Sequence, residues 1–143
     1  MTQYNKGFFR ENSFIETITP GLEPIALIIR ADYDEPGIQF FTPGSFSRQV
    51  AYMKHPRGQK SSAHVHNMMT RQVLYTQEVL VVRRDKAKVK LYASSKEYSG
   101  DRILHAGDLI LLCGGGHTFD MLVPTMETQE DKSSMSNFLG RYL

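Results

Sequence analysis

The chain has 143 residues, 41% of them hydrophobic and 22% charged, with 17 basic and 15 acidic residues for a formal net charge of +2. That length admits one domain with a real core and is short for two, and the composition is that of a globular chain rather than a disordered or fibrous one. The basic residues are scattered among acidic ones, so no phosphate-tracking stripe is visible and nucleic acid is not an expected partner.

The start MTQYNKGFFREN lacks the apolar core of a signal peptide, and the apolar run Ile25 to Ile29 is far shorter than a membrane span. A cytoplasmic protein with no membrane partner is the expectation. The single cysteine, Cys113, excludes an internal disulfide and cannot by itself build a structural zinc site, so stability must come from packing.

Short apolar segments separated by turn residues recur from about Ile15 to Gln129: Ile25 to Arg30, Ile38 to Thr42, Gln49 to Lys54, Glu78 to Val82, Ala87 to Tyr92, Asp108 to Leu112 and His117 to Leu122. Many short strands at this spacing predict an all-β barrel or sandwich. Thr19-Pro20-Gly21, Glu35-Pro36-Gly37, Thr42-Pro43-Gly44, Arg57-Gly58 and Ala106-Gly107-Asp108 supply the reversals. The clearest alternation is Lys86 to Leu91, where Ala87, Val89 and Leu91 face a core and the three lysines face water. Val79 to Val82 is apolar on both faces, which predicts a cover from the N-terminal segment or from the second subunit of a homodimer. No linker or repeat divides residues 1–143, so they read as one domain. In the tail, residues 130–143, Met135, Phe138, Leu139 and Tyr142 fall at helical spacing behind Ser133 or Ser134 as a cap. A short helix fits there, and so does an extended tail docking a few apolar side chains.

Gly58 to His66, GQKSSAHVH, holds the first chemical signal. On a strand His64 and His66 point to one side and Val65 to the other, so the two imidazoles can share an ion. By the same alternation Glu78 shares a face with Leu80 and Val82, which leaves a carboxylate at the end of an apolar row. Burying it unpaired is costly, and coordination of a metal, an ion pair with an arginine such as Arg71, or exposure near the strand start each removes that cost. Further on, GDLILLCGGGHTF ends a strand in three glycines that allow a tight turn and close backbone approach. They are not a phosphate loop, because no Gly-Lys-Ser/Thr and no helix signal follow. His117 then opens a strand whose inward set is His117, Phe119 and Met121. His117 alone reads as a buried histidine bonded to the backbone; its joint occurrence with the other three is the informative fact.

These residues resemble the two motifs of the cupin superfamily. The first motif runs G, five residues, H-x-H, a few residues, E, six residues, G. Gly58, His64 and His66 match it, Glu78 lies twelve residues after His66 rather than about five, and Asp85 stands in the place of the closing glycine. The second runs G, five residues, P-x-G, two residues, H, three residues, N. Gly107 and His117 match, Cys113 replaces the proline, Gly114 takes the second glycine's role one position early, and Met121 replaces the asparagine. The resemblance spans about residues 49–122. It implies a double-stranded β-helix, or jelly-roll, barrel with His64, His66, Glu78 and His117 as metal ligands.

Three imidazoles and a carboxylate suit a divalent transition metal, Fe, Mn, Ni or Zn, with open positions if six ligands are preferred. The resemblance implies action on a small-molecule ligand, as a dioxygenase or a carbohydrate isomerase or epimerase, or a non-catalytic binding or sensing module. A purely structural metal site is a third reading. Arg71 and Tyr75 are the candidates for binding substrate, Arg71 as an anion partner. Gln77 should face away from Glu78, and His55, His105 and Asp120 read as surface residues. Cys113 reads as a small buried residue at a strand end.

Overall fold

The structure, a computed structural model, describes residues 14–122, and among them every regular element is a strand. The strands are β1 (Ile15–Ile18), β2 (Ala26–Ile29), β3 (Gly37–Phe40), β4 (Ala51–Lys54), β5 (Glu78–Val81), β6 (Lys86–Tyr92), β7 (Tyr98–His105), β8 (Leu109–Leu112) and β9 (Gly116–Leu122). The all-β expectation holds. The expected C-terminal helix and the start of the chain lie outside the described residues. No helix among the described residues is long and apolar enough to cross a membrane.

The strands form three antiparallel sheets, with orders β1-β2-β8-β5, β3-β4 and β7-β6-β9. The four-stranded sheet is the middle layer, because its residues alternate between two cores. From β2, Ala26 and Ile28 join Val89, Leu91 and Leu104 of the three-stranded sheet, while Leu27 and Ile29 pack with Phe41, Phe46 and Val50 on the other side. Strand β8 repeats this division, with Ile110 and Leu112 in the first core and Leu111 in the second. An apolar run with no polar alternation is therefore a strand covered on both faces. At about 25 cal/mol per Å², each such buried aliphatic side chain contributes on the order of 1.5–3 kcal/mol.

Strand β6 obeys the predicted alternation: Ala87, Val89 and Leu91 are buried, and Lys90 on the outer face pairs with Asp120 of β9 at 2.8 Å. Asp85, before β6, adopts a left-handed φ of 58°, a conformation in which aspartate is tolerated better than most residues. Part of the cover over the outer face of β5 comes from within the chain: Val79 packs in the second core, to which the segment from Tyr33 to Tyr52 contributes Tyr33, Phe41, Phe46, Val50 and Tyr52. Within that segment Tyr33 sits edge-on to Phe41 and Tyr52, with ring centroids 5.3 and 4.9 Å apart. Its loop is closed by two bonds: Phe41 N–H donates to Val50 O, and Val50 N–H donates to the buried Thr42 Oγ1, both at 2.9 Å.

Two local expectations change. Strand β7 has no counterpart in the sequence reading; its first half, Tyr-Ser-Gly-Asp-Arg, has no apolar alternation, and cross-strand pairing with β6 holds it extended. His105, expected at the surface, is the exposed last residue of this strand. Conversely, residues 55–77 contain no strand, so His64, Val65 and His66 do not lie on one. Three alternating residues cannot hold an extended ladder without a neighbour to pair with.

Candidate metal centre

Glu78 and His117 are brought together by the two sheets that enclose the first core. Glu78 opens β5, opposite Leu112 of β8, and Leu80 behind it packs into that core, as alternation required. His117 lies near the start of β9, opposite Leu91 of β6, and its ring sits 5.5 Å from that of Phe119, which packs on the same core. Leu112 and Leu91 are core neighbours, so the two polar side chains meet at the rim just beyond them. His117 Nε2 stands 3.8 Å from Glu78 Oε2, with the side chains 32% and 19% exposed. Met121, expected inward with His117 and Phe119, is instead 42% exposed.

The turn that delivers His117 explains the three glycines. Cys113, Gly114 and Gly115 carry the chain from β8 in one sheet to β9 in the other, and the N–H groups of Cys113 and Gly114 both donate to Ile25 O, at 2.9 and 3.3 Å. Gly115 has φ +61°, and a Cβ there would collide with the Tyr92 carbonyl oxygen. Cys113 is buried, its thiol donates to Pro24 O at 3.3 Å, and burial pushes its pKa up to about 12. It is a packed apolar residue rather than a nucleophile, as its position at the strand end suggested.

His64 and His66 sit apart from this pair, on the exposed segment between β4 and β5. Their rings are 5.1 Å apart between centroids, so the two imidazoles are neighbours even without a strand. His64 Nδ1 lies 3.2 Å from Ser62 O; in the Nδ1–H tautomer it donates there and leaves the Nε2 lone pair free. That is the usual arrangement behind a metal-binding imidazole. Among the described residues no group of three or more His, Cys, Asp or Glu side chains comes close enough to hold a metal.

Donor geometry therefore fits an ion in part. Two ligand bonds of about 2.1 Å span at most about 4.2 Å, so the 3.8 Å separation of His117 and Glu78 lies within reach of one cation. The histidine pair must approach before four donors can share it. Arg71 Nη1 donates to Phe46 O at 2.9 Å and ties the segment to the loop over the second core. Gln77 accepts from Ser47 Oγ at 3.2 Å, on the side away from Glu78, as its odd offset predicted. Tyr75 is exposed at a bend.

One buried ion pair lies outside the residues to which the sequence pointed. Asp108 is 3% exposed, and its carboxylate accepts from Arg30 Nη1 and the His105 N–H at 2.8 Å and from the Ala31 N–H at 2.9 Å. Burial pushes its pKa upward, but the His105 and Ala31 amides and the Arg30 guanidinium outweigh burial and hold it below the ordinary carboxylate value. Arg30 also donates to Ile103 O at 2.7 Å. The legible signal was the Gly107-Asp108 turn, together with an arginine closing the apolar run Ile25 to Ile29. No family model, curated protein or solved structure matches the chain.

Proposed function

We propose that the chain is a metal-binding protein of the cupin type, with His64, His66, Glu78 and His117 as ligands to Fe, Mn, Ni or Zn. The observation that carries this reading is the meeting of Glu78 and His117 at 3.8 Å from two different sheets, 39 positions apart in the chain. The enclosure of one core between a four-stranded and a three-stranded sheet supports a jelly-roll reading of the fold. The neighbouring rings of His64 and His66 supply the other two donors.

With such a set of donors the metal would supply Lewis-acid or redox chemistry. The chain would then act on a small polar molecule, as a dioxygenase or a carbohydrate isomerase or epimerase. The second reading, a ligand-binding or sensing module without turnover, uses the same residues. Metal analysis of the untagged protein and of His64→Ala, His66→Ala and His117→Ala tests the assignment. Near-stoichiometric metal in the parent, falling at least tenfold in each variant, is expected. Stoichiometric metal unchanged in all three would overturn it. Bound iron with ligand-dependent oxygen uptake selects the oxygenase; a redox-inert metal with proton exchange in a sugar selects the isomerase; tight ligand binding without turnover selects the sensor.

A further inference from the structure

The segment between β4 and β5 and the outer face of the β3–β4 hairpin are both apolar, and no described residue covers either. On the hairpin, Ile38 lies directly opposite Met53 and Phe40 opposite Ala51, and all four residues are exposed on the face turned away from the second core. On the segment, Val65, Met68 and Met69, followed by Val73, Leu74 and Tyr75, are exposed on a chain with no strand or helix of its own. The segment is fixed at Lys54 and Glu78, and Arg71 ties it to Phe46 O. Among the described residues, the outer hairpin face stays exposed.

We propose that the segment 55–77 of one copy seats on the β3–β4 face of a second copy, and reciprocally, so that the protein is a two-fold homodimer. This inference stands independently of the metal reading. Three observations favour a second copy over another partner. Both halves of the contact belong to the same chain, which is what an isologous interface requires. The area is of the right order: nine large exposed apolar side chains offer roughly 500–1,000 Å². Summed over the two faces, that is of the order of the ~800 Å² per partner of a specific interface. Finally, opposite charges stand at the edges of the two faces. Arg57 and Lys60 lie on the segment. Asp32 and Glu35 are exposed where the chain enters the hairpin, beside the Asp34–Lys54 pair.

Sedimentation velocity of the full chain, with Phe40→Asp and Leu74→Asp, tests this. The parent should sediment at twice the 16.3 kDa chain mass, and each variant as a monomer with an unchanged far-ultraviolet circular dichroism spectrum. Should an aspartate variant unfold, cysteines decide instead, since the native Cys113 thiol is buried. Mixing Phe40→Cys with Leu74→Cys should give a disulfide-linked heterodimer on a non-reducing gel, and neither variant alone should give it. A monomeric parent, a dimer that persists in both folded aspartate variants, or no interchain disulfide in the mixture would overturn the proposal.

Discussion

The Asp108 carboxylate and the Arg30 guanidinium, 78 positions apart in the chain, meet at 2.8 Å where the β7–β8 turn passes the end of β2. Two backbone amides complete the acceptor's shell, so one buried charge fixes the end of the middle sheet to the turn beside it. Asp108→Asn keeps the size but removes the charge and leaves donors unmatched. Removing one partner of a buried pair costs about 3–5 kcal/mol, and the partial exposure of Arg30 brings the expectation to about 2–3 kcal/mol. Thermal denaturation should show a midpoint lower by roughly 5–10 °C.

The same carboxylate predicts an acid limb. Its folded-state pKa is depressed, so its contribution is fully present above the unfolded value of about 3.9 and is lost as pH falls through the lower folded value. Urea midpoints of parent and Asp108→Asn should differ at pH 7 and converge below about pH 4. A constant gap down to pH 2 would show that the charge of Asp108 does not set the difference.

At the rim of the first core, Glu78→Gln should retain the fold and weaken metal retention. Glu78 is part-buried and opens its strand, so amide for carboxylate changes charge with little change in packing. Equal metal content in parent and variant, at matched thermal stability, would move the carboxylate out of the coordination shell.

Gly115→Ala tests the inter-sheet turn. The left-handed φ costs roughly 1–2 kcal/mol for a residue with a Cβ, and the collision with Tyr92 O adds backbone displacement, for a total of about 2–4 kcal/mol. Gly114→Ala is the control, since the nearest atom to its added carbon would be Pro24 O at 3.5 Å, ordinary contact. Chemical denaturation should separate the two variants clearly.

For Cys113 the expected result is inertness. With its thiol pKa pushed to about 12, the folded protein should not react with a disulfide reagent at pH 8, and denaturant should release one titratable thiol per chain. Rapid labelling under native conditions would contradict the buried geometry.

How much of this was legible in the sequence follows from the range of each interaction. Period-two alternation and doubly apolar runs are local, so the positions of β2, β5, β6, β8 and β9 and the inward face of Glu78, Leu80 and Val82 could be read directly. The left-handed Asp85 and the glycine turn before His117 were also visible, because turn chemistry depends on a few adjacent residues.

Tertiary structure alone decided the rest. Strand β7 exists because β6 offers it a ladder across a short turn, and its polar first half carries no apolar alternation that would announce the pairing. The His64-Val65-His66 alternation found no such ladder and left the pair on an exposed segment. Which polar residues meet across the fold depends on how sheets stack, a long-range property. That stacking set Glu78 beside His117 and Arg30 beside Asp108, whereas the sequence by itself determined only which residue types stood ready on which faces.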